Sequence, residues 1–115
     1  MAKLPSEETF DISKDFGEAL GGEYTLTLKV NWTGADGDYV SSKVTQMVMD
    51  TEGKVETIYA SAGNIAILKR VIKSWNVMGE DDSILPVTYD NVGKLPGKVT
   101  DWALMAWNGT QPKKD

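Results

Sequence analysis

Apolar residues occupy every second position of Tyr24–Trp32: Tyr24, Leu26, Leu28, Val30 and Trp32 alternate with Thr25, Thr27, Lys29 and Asn31. Period-two alternation over nine residues predicts a strand with one buried and one solvated face, as in an antiparallel sheet. Gly21-Gly22 precedes it, which makes Thr9–Ile12 the expected hairpin partner, and Thr33-Gly34-Ala35-Asp36-Gly37 reads as the turn that ends it. The period then changes. Val40, Val44, Met47 and Val48 fall at helical spacing across Asp38–Asp50. A hairpin of Val44–Met49 and Lys54–Tyr59 about Asp50-Thr51-Glu52-Gly53 competes, but its first strand alternates poorly. Ile58, Ala62, Ile65, Leu68, Ile72 and Trp75 recur every three or four residues and predict a helix over 54–76 with Trp75 in the core. Glu52 and Glu56 near its start and Lys69, Arg70 and Lys73 near its end complement the helix dipole.

Met78–Asp82 reads as a polar, acidic loop. Thr88 is placed to cap a short helix through Tyr89–Leu95, with Asp90 in its first turn, and Pro96 suits the opening of a last helix. In that helix Val99, Trp102, Ala103 and Ala106 make one stripe. Leu104, Met105 and Trp107 lie off it, so Trp102–Trp107 is apolar nearly all round. The expected fold is α+β: a short antiparallel sheet packed against two to four α-helices, with a helical C-terminal half. One domain is expected over 1–115, with residues 1–9 and 110–115 as frayed termini.

Composition narrows the function. At 115 residues, with 41% apolar and 25% charged residues, the chain is long enough for one core and too apolar for wholesale disorder. The chain has no cysteine and no histidine, which removes disulfides, thiol catalysis, the usual neutral-pH general base and the commonest metal ligands. No apolar run approaches the ~20 residues of a membrane span, and Met1–Ser6 lacks the apolar stretch of a secretion signal. The net charge of −5 argues against nucleic-acid binding. That charge is uneven: residues 1–38 carry eight acids against three lysines, whereas residues 39–79 carry five basic residues against three acids. An acidic head and a mildly basic middle read first as two solvated faces; the alternative is that they pair within one chain or between copies.

Glu80, Asp81 and Asp82 are the one compact carboxylate run, and three adjacent acids in a loop read as solvated rather than catalytic. A calcium loop there fails, because Leu85 and Val87 occupy ligand positions and the sixth position is not glycine. Phosphate-cradling glycine loops and nucleophile elbows are missing. Asn31-Trp32-Thr33 and Asn108-Gly109-Thr110 match the glycosylation pattern by chance in a chain without a secretion signal. The expectation is therefore a soluble, cytoplasmically made binding or assembly protein, a non-enzyme without cofactor or metal. Trp102, Leu104, Met105 and Trp107 are its expected protein-contact residues, and Trp107 is the expected exposed tryptophan.

A resemblance gives this outline a setting. Ile72-Lys73-Ser74-Trp75-Asn76-Val77, the acidic Gly79–Ser83, Leu85-Pro86-Val87-Thr88-Tyr89-Asp90-Asn91-Val92, Leu95-Pro96 and Val99 form a pattern. It is similar to small proteins encoded among the tail genes of long-tailed, double-stranded DNA bacteriophages, and covers about Ile65–Val99. In that group a helix ends in Trp-Asn, an Asp-rich turn follows, and a Leu-Pro-Val-Thr segment opens a further helix. This chain departs from it in Ser83, where glycine commonly closes the turn, and in the apolar Trp102–Trp107. The resemblance implies a tail assembly chaperone or minor tail protein; the alternative is another virion component, such as a capsid decoration or head–tail joining protein. Implied partners are phage structural subunits (tail tube, tape measure or capsid) or a second copy, with no nucleic acid and no membrane. The implied location is the host cytoplasm during assembly, or the virion.

Overall fold

The alternation about Leu26 and Leu28 is realised as β2 (Leu26–Lys29), the central strand of a three-stranded antiparallel sheet in the order β1-β2-β3. The computed structural model describes residues 7–12, 24–50 and 55–111. Gly21-Gly22, Glu52, and the outermost parts of the expected frayed ends lie outside them. Among the described residues the remaining elements are β1 (Thr9–Asp11), α1 (Gly34–Asp50), α2 (Val55–Val71), β3 (Ile72–Trp75), α3 (Tyr89–Gly93) and α4 (Gly97–Asn108). The fold is α+β with a helical C-terminal half. No helix among the described residues is long and apolar enough to cross a membrane.

β1 pairs with β2 in the register Thr9–Lys29, Phe10–Leu28 and Asp11–Thr27, the expected hairpin partnership. Regular strand structure stops short of Tyr24 and Trp32 on either side. The expected frayed N-terminus overlaps the sheet: Thr9 lies in β1, the Val30 N–H donates to the Glu8 carbonyl at 2.8 Å, and Lys73 pairs with Glu7.

Two boundaries differ from the sequence reading. Residues 34–37, read as a turn, form the first turn of α1 instead. The helix expected over 54–76 ends at Val71, and Ile72–Trp75 runs directly on as β3. Thr27 lies opposite Ser74 but Leu28 lies opposite Ile72, leaving Lys73 as an extra residue in β3. Such a bulge puts residues three apart on one face. Ile72 and Trp75 are accordingly both buried, with Lys73 and Ser74 exposed between them. Trp75 is a core residue as expected, and its indole N–H donates to the Leu85 carbonyl at 2.8 Å.

The core gathers Leu26 and Leu28 from the sheet, Leu68 and Val71 from α2, Val92 from α3, and Val99, Trp102, Ala103 and Trp107 from α4. Helix α2 also packs on α1, where Val44 lies against Gly63, and Ala62 and Ala66 are buried. The two later helices begin as their sequences require. Thr88 Oγ1 accepts the Asn91 N–H at 3.2 Å to cap α3, and Pro96, which needs no N–H bond, stands at the N-cap of α4.

Candidate interaction site

Three features of this architecture gather chemistry: the surface of α4, a buried carboxylate at the start of α1, and a cationic–aromatic face between α1, α2 and α3.

Helix α4 divides its apolar run between inside and outside. Val99, Ala103 and Trp107 follow one another at intervals of four and share the inward face with Trp102. Trp107 is 8% exposed, which corrects its expected place off the stripe and at the surface. Its indole N–H donates to the Lys29 carbonyl at 3.1 Å, and its ring meets Trp32 at 5.4 Å between centroids, tilted by 56°. Gln111 Nε2 donates to the Val30 carbonyl at 2.9 Å, so the described part of the C-terminal tail is tied to the residue that follows β2. Trp32, at 39%, is the exposed tryptophan instead.

Of the four expected contact residues, Trp102 and Trp107 therefore belong to the chain's own core. Met105 points outward and is 72% exposed, and Leu104 is half-buried. Leu104 lines a cleft of about 250 Å³ between α2, α3 and α4. Ile65, Leu68 and Leu95 supply its apolar lining, while Asn64, Thr100 and Asp101 bring polar groups to it. Met105 stands one turn beyond Asp101. Leu104 thus stays at the cleft with the exposed Met105 next to it in sequence, and the two tryptophans are withdrawn into the core.

The buried carboxylate is Asp36. Thr33 Oγ1 accepts the Asp36 N–H at 3.3 Å, and the Asp36 carboxylate accepts the Thr33 N–H at 2.9 Å, a reciprocal cap on α1. Asp36 also receives Lys29 from β2 and Arg70 from the last turn of α2, each at 2.6 Å. Burial raises the carboxyl's pKa, but the bonds from Lys29, Thr33 and Arg70 outweigh it and hold Asp36 at about 2, below the ordinary 3.8. The constellation is structural: the Asp36 side chain is wholly buried and its two oxygens are taken up by Lys29, Thr33 and Arg70. It was legible in part, because Thr33-Gly34-Ala35-Asp36 carries the spacing of a capping box. Nothing in the sequence marks Lys29 and Arg70 as its partners.

The third feature is the face around Tyr39. The Lys43 ammonium lies 5.8 Å from the Tyr39 ring centroid and 5.1 Å from that of Tyr89. Lys69 and Arg70 approach the same Tyr39 ring at 5.7 and 5.5 Å. Burial raises the pKa of both tyrosines, and the Asp90 carboxylate adds to it, so both hydroxyls stay protonated at neutral pH. Sequence reasoning found the basic middle of the chain but not the tyrosines that organise it.

Glu80, Asp81 and Asp82 sit at the tip of a short ribbon closed by the Met78–Ile84 bridge. Asp81 turns back to accept the Ser83 N–H at 3.3 Å and its hydroxyl at 2.8 Å, while Asp82 takes a left-handed φ of 58°. No group of three metal-ligating side chains converges among the described residues. Compared with protein-family models, curated proteins and solved structures, the chain matches none.

Proposed function

We propose that this chain is a bacteriophage assembly or structural protein, a tail assembly chaperone or minor tail protein, that works through protein–protein contact. The phage setting comes from the pattern of Ile72–Val99. The structure departs from that pattern at one point, since the segment ending in Trp75-Asn76 is a strand and not a helix end. The mode of action is supported by one observation above others: the largely exposed Met105 beside Leu104 and the cleft lined by Ile65, Leu68 and Leu95.

A cleft of this size takes one large apolar side chain, and a ring of polar groups around an apolar centre is the usual anatomy of a contact surface. An exposed methionine adapts its three rotatable bonds to an irregular partner. The partner that fits is a phage structural subunit, such as a tail-tube or tape-measure protein, presenting an apolar side chain before it is assembled.

Quantitative mass spectrometry of purified mature particles and of the assembly intermediates tests this reading. A chaperone is present in complexes with a tail subunit and lost from the mature tail; a minor tail protein stays in a few copies. Failure to find the chain with any tail subunit at either stage would refute both.

A further inference from the structure

We propose that the Tyr39–Lys43–Lys69–Tyr89 face docks the acidic ribbon tip, Glu80–Asp82, of a second copy of this chain. The face gathers more positive charge than it matches. Arg70 is committed to Asp36, but among the described residues neither Lys43 nor Lys69 makes an ion pair, although both ammonium groups sit against the same tyrosine ring. Ring quadrupoles attract each cation and leave the repulsion between them in place. Of the nearby acids, Asp36 is already shared between two cations, and Asp90 lies where it acts on Tyr39 and Tyr89. An acidic segment from outside supplies what the face lacks.

The tip fits this face in two respects. It presents Glu80, Asp81 and Asp82, all exposed, on a ribbon whose bonds from Gly79 to Ser83 fix its shape. It also carries an exposed apolar pair, Met78 at 57% and Ile84 at 64%, held side by side by their bridge. Carboxylates meet ammonium groups, and a thioether and an isoleucine meet tyrosine rings, a contact that methionine sulfur favours. Tip and face are different surfaces, so the contact is head-to-tail: each copy keeps a free tip and a free face, and association continues into a ring or a chain of copies.

This arrangement has a distinctive test that leaves α4 untouched. A face variant, Lys43→Glu with Lys69→Glu, and a tip variant, Glu80→Gln with Asp82→Asn, are each followed by sedimentation velocity at low and high salt. Asparagine keeps the left-handed conformation of position 82 accessible. Wild type is expected to associate beyond a dimer at low salt and to dissociate as salt screens the contact. Each variant alone is expected to associate at least about tenfold more weakly, with unchanged circular dichroism. Mixed together, they are expected to form a one-to-one dimer that grows no further, because one intact tip meets one intact face. A wild type that stays monomeric at about millimolar concentration and low salt overturns the proposal. So do variants that associate like wild type, or a mixture that stays monomeric. Loss of self-association with tail-subunit binding intact separates this contact from the one at Leu104 and Met105.

Discussion

Arg70 meets Asp36 at 2.6 Å across 34 residues of sequence, joining the last turn of one helix to the first turn of another. Lys29 completes the junction from the central strand, so one carboxylate holds β2, α1 and α2 together. The same strand residue accepts the Trp107 indole N–H through its carbonyl, which brings α4 to that junction.

Replacing Asp36 leaves the Lys29 cation buried without its counter-charge. Asp36→Ala is expected to lower the unfolding free energy by about 3–5 kcal/mol. Lys29→Met, which fills the same space with an apolar stem and leaves Asp36 its bonds to Arg70 and Thr33, is expected to cost less. Urea unfolding of the two variants measures the order, and an Asp36→Ala cost within about 1 kcal/mol of zero would contradict this role.

Acid sensitivity follows from the same group. The folded-state pKa of about 2 lies below the ordinary 3.8, so the contribution is fully present above that ordinary value and is lost as pH falls through about 2. A depression of that size corresponds to about 2 kcal/mol. Stability measured from pH 5 down to pH 2 is expected to fall, and Asp36→Ala is expected to flatten the part due to this carboxyl.

Trp75 tests the strand. Trp75→Ala is expected to cost about 3–5 kcal/mol by opening a cavity. Trp75→Phe retains much of the packing but deprives the Leu85 carbonyl of its donor, for a loss of about 1–3 kcal/mol. An unchanged melting temperature in the alanine variant would remove Trp75 from the core.

The cap on α1 is open to a milder probe. Thr33→Ala is expected to lose about 1 kcal/mol, and Thr33→Ser to retain most of the stability, because serine keeps the oxygen that accepts the Asp36 N–H. Thermal unfolding of the pair reads the difference directly.

Much of this fold is legible in the sequence where a period runs unbroken. The strand about Leu26 and Leu28, the cap at Thr88 and the helix start after Pro96 all depend on near neighbours and read correctly, whereas Lys29, expected on the solvated face of that strand, is buried against Asp36. Ile72 and Trp75 misled because a bulge at Lys73 gives strand residues the three-residue spacing of a helix. Thr33–Asp36 looked like a turn since glycine and aspartate serve both turns and helix starts; the Lys29 and Arg70 contacts that decide the matter are remote in sequence. Trp102–Trp107 looked apolar on all sides, but four-residue steps from Val99 carry Trp107 inward and leave Met105 outside. The cleft and the tyrosine–lysine face are made by three helices meeting, which no local pattern encodes.

The central claim, that the edge of α4 binds a tail subunit, is tested most directly by titrating a tail-tube or tape-measure subunit against wild type and a Leu104→Ser, Met105→Ser variant. Trp107 is unsuitable for this purpose, because its loss would damage the core. A wild-type complex is expected, with at least about thirtyfold weaker binding by the variant, the loss of a true hot spot, while its circular dichroism is unchanged and its melting temperature falls only by what the half-buried Leu104 contributes. Equal binding by the two chains, or no complex between wild type and either subunit, would contradict it.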